Sequence, residues 1–224
     1  MDELNHKNLK RDTADTVYLS SAYLAPIQYY SKLMHYDHVS IESNCHYLKQ
    51  TYRNRCTIAA ANGELALSIP VDKGELLKCK TRDIRIANQT DWQRQHWRSI
   101  ESAYKTSPFF DYYQDDFLPF YERKWEFLFD FNTEIQELVL SLLGITIFLE
   151  ETSNFKDNFL RNEIDLREII HPKKNAEQTD SHFRLIPYYQ VFKEKNGFIC
   201  NLSILDLLFN MGNEARILLR DSWQ

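Results

Sequence analysis

Near the start of the chain, the pattern of hydrophobic residues predicts a strand, then a helix, then a second strand. TVYLSSAYLAP at 16–26 opens with a short β-rich run and ends at Pro26, a residue suited to the first turn of a helix. The segment 27–36 has helical potential, and HVSIES at 38–43 resembles a second strand. We therefore predict a compact strand–helix–strand (βαβ) unit, with a crossover close to the shortest that joins parallel strands.

The clearest local pattern predicts a hairpin over 53–71. The dipeptide Asn62-Gly63 is favoured in type I′ turns, because both central residues of such a turn need positive φ. After the turn, alternate apolar residues share one face of the predicted return strand: Leu65, Leu67, Ile69 and Val71.

The middle of the chain is predicted to be helical. Thr90 and Gln93 fit a capping box that opens a helix to about Thr106, and Pro108 prevents this helix from continuing. A short aromatic helix or turn is predicted at 108–117.

A long helix and two further strands are predicted around this region. Pro119 can start a helix that runs to Leu143, with Gly144 as its C-terminal stop. The segments 81–88 and 145–151 have the composition of strands, the second of them buried.

The C-terminal part of the chain combines an irregular segment with short helices. Residues 154–182 are charged and indicate no regular element. Further on, Ser203 fits the N-cap of a helix, with Asp206 as its acidic partner and Gly212 as its stop. An amphipathic segment at 213–223 closes the chain.

Strands that alternate with helices favour an α/β fold, with an α+β arrangement as the alternative. We expect a mixed β-sheet, opened by the βαβ unit and the hairpin, covered by helices, with a helical middle segment. The polar, mixed-charge residues 1–15 predict a disordered tail, and 16–224 are predicted to form one domain, since 224 residues with 43% apolar content can bury a large core.

The overall charge narrows the classes of partner. A net charge of -5 and a pI near 5.8 argue against a general nucleic-acid binder, which usually has a basic surplus. The longest apolar run, at 138–149, is too short for a membrane span and is interrupted by Gly144. The first residues contain no apolar signal-peptide core. We therefore predict a cytoplasmic protein without nucleic-acid partners or a membrane span.

The cysteines and glycines predict no metal and no cofactor. The four cysteines, Cys45, Cys56, Cys79 and Cys200, lack the paired spacing of a zinc site and are expected to be reduced thiols. With only five glycines, the chain contains neither GxGxxG nor GxxxxGK[ST], so a standard phosphate loop is absent.

An arginine pair is the first candidate binding feature. A period of two places Arg53 and Arg55 on one face of the predicted strand, with Lys49 a few residues before them. Guanidinium groups match phosphate and carboxylate geometry, so the three cations could bind an anion. The alternative is a solvent-facing strand, or ion pairs with the many carboxylates of the chain.

Two residues are candidates for acid–base chemistry. His96 lies in an aromatic helical setting and could be a general acid or base near neutral pH, or a hydrogen-bonded histidine at the edge of the core. Asp206 could be a base, but the capping box already explains it. Tyr188, Tyr189 and Gln190 could line a pocket. No GxSxG elbow or assignable nucleophile occurs, which argues against a hydrolase.

Five segments in register resemble the WbqC-like family over nearly the whole chain. They are YLAPIQYYSKL (23–33), YLKQTYRNRCTI (47–58), LSIPV (67–71), Trp92 and His96 with SAYKTSPFFDYY (102–113), and YYQVF with NLSILDLLFNMG (188–212). The chain is most similar to the compact, Bacteroides-type form of the family. It departs at 25–28, Ala-Pro-Ile-Gln where many relatives have Pro-Trp-x-Gly, and at 154–182, where longer relatives have a glycine-containing stretch.

The resemblance implies a role in polysaccharide and O-antigen biosynthesis, as a transferase that moves a glycyl or other acyl group onto a sugar. The family pattern falls on Tyr23, Pro26, Lys49, Tyr52, Asn54, Arg55, Pro70, Trp92, His96, Tyr104, Gln190, Phe192, Leu202, Ser203, Asp206 and Gly212.

Residues and resemblance together give one leading hypothesis. An activated anionic donor (a nucleotide sugar, an acyl-CoA or an aminoacyl carrier) and a sugar acceptor are the expected partners, with His96 and Asp206 as catalytic groups. The predicted binding residues are Tyr23, Gln28, Lys49, Tyr52, Arg53, Asn54, Arg55, Trp92, Tyr104 and Gln190. The alternative is a non-catalytic binding or assembly protein that associates with polysaccharide-biosynthesis enzymes.

Overall fold

The computed structural model of the chain describes residues 15–72, 79–173 and 180–224. Its strands are β1 (Thr16–Ser20), β2 (His38–Glu42), β3 (Arg55–Ala60), β4 (Gly63–Ser68), β5 (Phe148–Glu151) and β6 (Glu163–Asp165). Its α-helices are α1 (Ile27–His35), α2 (Trp92–Tyr104), α3 (Phe110–Glu122), α4 (Leu128–Leu142), α5 (Lys193–Asn196), α6 (Ile204–Met211) and α7 (Ala215–Asp221). The predicted tail, except for Asp15, lies outside the described residues.

The predicted βαβ unit is confirmed. β1 and β2 are parallel neighbours, paired from Thr16 opposite His38 to Ser20 opposite Glu42, and α1 is the crossover. Pro26 is the N-cap of this helix. Both strands are buried over most of their length, which is typical of a parallel sheet covered on both faces.

The order in which the chain adds strands to the parallel sheet reverses next to β1. Its strand order is β5-β2-β1-β6, and all three pairings are parallel. The chain first builds outward from β1 through β2 to β5, then returns to add β6 on the other side of β1. The carboxyl ends of β1 and β6 therefore flank a topological switch point, the place where open α/β sheets bind ligands.

The hairpin is confirmed, but its turn is shifted. β3 and β4 form a separate antiparallel sheet, in which Ala60 pairs with Gly63. The turn residues are therefore Ala61 and Asn62. Gly63, with φ of +106°, is the residue after them, whereas Asn62 does not have positive φ. The predicted type I′ turn at Asn62-Gly63 is wrong, although glycine still provides the positive φ that closes the hairpin.

The α/β class is confirmed, with parallel and antiparallel pairings in two separate sheets. Two strand predictions need correction. The segment 81–88 contains a 3₁₀ turn at Thr81–Asp83 and only single bridges at Arg85 and Ile86. The charged segment 154–182 was expected to be irregular, but it contains β6. Strand β5 forms as predicted, although it is mostly exposed rather than buried.

The helical middle is confirmed with different boundaries. Pro119 lies inside α3 rather than at the start of a long helix, and residues 123–127 separate α3 from α4. Asp91 is the N-cap of α2, so the predicted Thr90 cap is wrong. Gly144, with φ of +61°, follows the end of α4 as predicted.

Helix α6 has the predicted ends, but its acidic residue, Asp206, does not act as the predicted partner of the N-cap. The Ser203 side chain accepts a hydrogen bond from the Leu205 amide, and Gly212 ends the helix with φ of +54°. The Asp206 carboxylate does not bind back to the cap. It points into the core, where α6 packs against α1, α3, α7 and β3. No helix among the described residues is both long and apolar enough to cross a membrane.

Candidate functional site

An open cleft lies beside the base of the hairpin. It has a volume of about 540 Å³, within the usual range for small-molecule sites. Its lining residues come from the segment that leads into β3, from the first residue of β3, and from the end of β4 and just beyond it: Tyr47, Lys49, Gln50, Asn54, Arg55, Ser68 and Val71. Three of the predicted binding residues, Lys49, Asn54 and Arg55, are therefore brought together here.

The two cations of the cleft have free hydrogen-bonding capacity. Nε of Arg55 donates to Oγ of Ser68 (3.1 Å), and this is its one hydrogen bond to a residue that the structure describes. The Lys49 side chain has no ion pair and no hydrogen bond with any residue that the structure describes. Asn54 is held in place by its own bond to the Ile69 carbonyl (2.7 Å). The cleft thus presents a guanidinium and an ammonium group toward solvent, a combination suited to an oxyanion.

The backbone beside these cations is strained. Gln50 lines the cleft and has φ of +61°, a left-handed conformation that non-glycine residues adopt rarely. Such outliers cluster at binding and catalytic sites. Gln50 directly follows Lys49, so this turn lies beside one of the two cations.

Arg53 does not share the face of Arg55, so the predicted one-sided pair is wrong. β3 begins at Arg55, and Arg53 lies in the turn before it, where the period of two does not apply. Arg53 is 2% exposed, and its Nη2 donates to Ser20 Oγ and to Glu168 Oε1 (2.9 Å each). It lines a second, smaller pocket, together with Tyr52, at the carboxyl end of β1.

A buried ion pair braces the same edge of the parallel sheet. Arg167, just after β6, donates from Nη1 to the fully buried Glu42 at the end of β2 (2.9 Å). Its Nη2 and Nε bind the Asp165 carboxylate (2.8 Å each). Glu42 also accepts from the Asn44 amide (2.7 Å) and from the Thr152 hydroxyl (3.0 Å). Both charges are therefore neutralised and well hydrogen-bonded.

His96 lies in an aromatic cluster inside the protein rather than in the cleft. Its Nδ1 is 3.0 Å from the hydroxyl of Tyr23, which is 2.8 Å from the hydroxyl of Tyr121. The Trp92 ring packs edge-on against His96 at 5.1 Å. Burial disfavours the imidazolium and lowers the pKa of His96 to about 4, although a hydrogen bond to the Ser68 carbonyl opposes this shift. His96 is therefore neutral at pH 7.

Asp206 is the centre of a second buried cluster. Its Oδ1 accepts from the Tyr104 hydroxyl (2.9 Å), and its Oδ2 accepts from the Tyr188 hydroxyl and from Nε2 of Gln190 (3.1 Å). The residue is fully buried. Burial raises the pKa of the Asp206 carboxyl to about 6, while the three hydrogen bonds oppose this shift.

All of the predicted site residues except Gln28 thus divide among four places. Lys49, Asn54 and Arg55 line the cleft; Tyr52 and Arg53 line the smaller pocket; Tyr23, Trp92 and His96 form one buried cluster; Tyr104, Gln190 and Asp206 form the other. Gln28 lies elsewhere, on α1, where it donates to Asp180 and accepts from Asn201 (3.0 Å each). The catalytic roles of His96 and Asp206 stay predictions.

Several residues of both pockets were missed from the sequence. Two residues of the cleft have no distinctive sequence pattern. Ser68 is simply the last residue of β4, and Gln50 stands out only by its backbone conformation. Arg167 and Glu168 fall in the segment that was expected to be irregular. Among the described residues, no group of three or more His, Cys, Asp and Glu side chains is arranged to hold a metal ion.

Comparison with known proteins gives the family. The model of the WbqC-like protein family matches residues 21–217. The chain belongs to this family. It is also 26% identical over 222 residues to "Uncharacterized protein Rv1507c" of Mycobacterium tuberculosis (strain ATCC 25618 / H37Rv), an alignment that covers 90% of this chain and 96% of that protein. No solved structure matches the chain significantly.

Proposed function

We propose that the chain binds an activated, anionic donor in the cleft and acts as a transferase in the assembly of surface polysaccharide. The observation that supports this most directly is the pairing of Lys49 and Arg55, both without a carboxylate partner among the described residues, in a space of about 540 Å³. Phosphate or carboxylate oxygens would replace water on these cations. The family name adds a polysaccharide context, without a substrate.

The cleft would hold the charged part of the donor. Arg55 offers its terminal amino groups, with the guanidinium plane fixed by the bond from its Nε to Ser68. Lys49 would contribute a point charge, and Asn54 an additional polar side chain. Nucleotide sugars, acyl-CoA thioesters and aminoacyl carriers all contain a group of this kind, so the donor class stays open among them.

A second candidate function is a non-catalytic binding or assembly protein of the same pathway. Two observations favour it. His96 and Asp206 are 5% and 0% exposed, and each is engaged by neighbouring side chains. Among the residues that the structure describes, those that line the cleft include no histidine and no carboxylate. Under this candidate the cleft binds its anion without turnover.

Calorimetric titration with UDP-sugars and acyl-CoAs tests the donor site. Arg55→Ala should weaken binding about tenfold or more, because a hydrogen bond to a charged partner contributes about 1.5–3 kcal/mol. Arg94→Ala, which removes an exposed arginine on α2, is the matched control and should bind like the parent. Equal affinity of the parent and Arg55→Ala for every ligand tested would contradict the donor site.

Turnover separates the two candidate functions. A donor that binds in the cleft is incubated with the protein and a set of sugar acceptors, and the products are followed by mass spectrometry. Transfer that disappears in Arg55→Ala supports the transferase. Donor binding without transfer to any acceptor, together with co-purification of a glycosyltransferase, supports the assembly protein.

A further inference from the structure

The smaller pocket lies at the switch point of the parallel sheet. Its walls are the end of β1 (Ser20 and Ser21), the residues that follow β6 (Arg167 and His171), and Arg53. Ligands of open α/β sheets bind outside the carboxyl ends of strands where the strand order reverses. β1 and β6 are the two strands that meet this condition here. The position of this pocket in the fold therefore makes it a candidate ligand site, independently of the cleft.

Arg53 is an unusual cation because it is buried without a buried counter-ion. Its guanidinium is fixed by Ser20 Oγ at 2.9 Å and lies 3.6 Å from the Cys45 sulfur. Its one carboxylate partner among the described residues, Glu168, is 49% exposed. By contrast, Arg167 beside it is neutralised by the fully buried Glu42 and by Asp165. An exposed partner contributes little to the stability of a buried charge.

Two buried polar atoms at this corner lack a hydrogen-bond partner within the described residues. One is Nε of Arg53, and the other is Oδ1 of Asn132. Asn132 is bound to the same corner, because its Nδ2 donates to the Arg53 carbonyl (2.8 Å) and to Ser21 Oγ (3.0 Å). Buried polar atoms are paired in most proteins, so the unpaired Nε donor of this fixed guanidinium indicates capacity for an oxyanion, whereas the Asn132 oxygen is an acceptor and adds nothing to that capacity.

We propose that this pocket is a second oxyanion site, which binds a phosphate group on Arg53 in place of the Glu168 carboxylate. Glu168 marks the position of the oxyanion, since its Oε1 lies 2.9 Å from Nη2 of Arg53. The interior of the pocket has room for little more than one water molecule, so the phosphate replaces the carboxylate at the pocket mouth. This proposal depends on the sheet topology and not on the donor cleft.

Substitution of Glu168 tests the exchange without disturbing the core. Glu168→Gln removes the competing charge from an exposed side chain, so inorganic phosphate should bind about three- to tenfold more tightly than to the parent. Glu101→Gln, an exposed residue on α2 with the same change in net charge, is the matched control and should leave the affinity unchanged. Equal phosphate affinities for the two variants would overturn the proposal.

A nuclear magnetic resonance titration locates the bound phosphate. The side-chain N–H signal of Arg53 Nε, assigned by its loss in Arg53→Lys, should shift with phosphate, and it should shift equally in Arg55→Ala. Shifts that are confined to the Arg55 signal would overturn the second site and leave the donor cleft intact. If Arg53→Lys fails to fold, the dependence on Glu168 still decides the question.

A comparison of two probes identifies the source of the phosphate. Tighter binding of uridine 5′-monophosphate than of inorganic phosphate, with the same dependence on Glu168, assigns the pocket to a phosphate ester. Equal or weaker binding with that dependence assigns it to free phosphate. Binding of either probe that is indifferent to Glu168→Gln contradicts the assignment.

Discussion

The polar residues of the interior and those of the cleft differ in how far their hydrogen bonds are satisfied. Asp206 accepts three hydrogen bonds in the core, and the Nδ1 of His96 is hydrogen-bonded to the Tyr23 hydroxyl. In the cleft, the Arg55 side chain makes one hydrogen bond and the Lys49 side chain makes none, counted among the residues that the structure describes. The comparison indicates that Asp206 and His96 hold the architecture, whereas Arg55 and Lys49 keep donors that are unpaired among the described residues.

One residue joins the two regions. The Ser68 backbone carbonyl lies near enough to His96 to raise its pKa, and the Ser68 hydroxyl accepts a hydrogen bond from Arg55 Nε (3.1 Å). His96 therefore lies beside the last residue of β4, and that residue orients the guanidinium in the cleft.

The largest effect is expected for Asp206→Ala. The substitution leaves the buried hydroxyls of Tyr104 and Tyr188 without their acceptor, whereas Gln190 keeps its bond to the Ile199 carbonyl, and each unsatisfied buried donor costs about 1–3 kcal/mol. The free energy of unfolding should fall by about 3–5 kcal/mol, measured by urea denaturation with tryptophan fluorescence. Asp206→Asn keeps an acceptor oxygen and should lose clearly less. Equal losses in both variants would show that shape rather than hydrogen bonding is decisive.

The two interior clusters should respond to pH in opposite directions. The pKa of Asp206 is raised to about 6, so the folded state retains a proton that the unfolded state has released, and this group makes the protein more stable as pH falls from about 6 to 4. The pKa of His96 is lowered to about 4, so the unfolded state takes up the proton first, and this group makes the protein less stable over the same interval.

Single substitutions should separate the opposed effects. Relative to the wild type, Asp206→Asn should lose up to about 3 kcal/mol of stability on acidification from pH 7 to 4, because only the His96 effect remains. His96→Gln should gain a similar amount relative to the wild type over that range. Urea denaturation at pH 7, 6, 5 and 4 measures both differences. Parallel pH curves for the three proteins would contradict the shifted pKa values.

A smaller loss is expected for Tyr23→Phe. The Tyr23 hydroxyl links His96 Nδ1 to the Tyr121 hydroxyl, so its removal leaves two buried groups with one bond fewer. The free energy of unfolding should fall by about 1–2 kcal/mol. Tyr112→Phe, which changes a tyrosine that is 74% exposed, is the control and should have no measurable effect in the same denaturation assay. An unchanged free energy of unfolding in Tyr23→Phe would show that this hydrogen bond does not stabilise the cluster.

The sequence was sufficient for the elements that combine apolar spacing with a clear boundary residue. β1, α1 and β2 were predicted because Pro26 separates two apolar runs, and α6 because Ser203 and Gly212 bound it. β6 was not predicted, since a three-residue strand in a charged segment has no periodicity to detect. Its existence depends on pairing with β1, which is a tertiary effect.

The candidate site was predicted only in part, because residue type does not reveal burial. Lys49, Asn54 and Arg55 do converge, but Arg53, only two positions before Arg55, is buried at another edge. One strand boundary decides this difference: the period of two begins at Arg55 and fails before it. Asp206 matched a capping box in the sequence, yet its carboxylate binds residues far away in the chain.

The smallest effect on stability is expected in the cleft. Arg55→Ala removes a side chain whose one described bond, to Ser68, lies on the surface, so the free energy of unfolding should change by less than about 0.5 kcal/mol. Lys49→Ala should behave in the same way. Urea denaturation measures both, beside the Asp206→Ala reference. A loss above about 1 kcal/mol would place Arg55 with the interior groups, and weaker ligand binding in that variant would then reflect a distorted cleft rather than a lost contact.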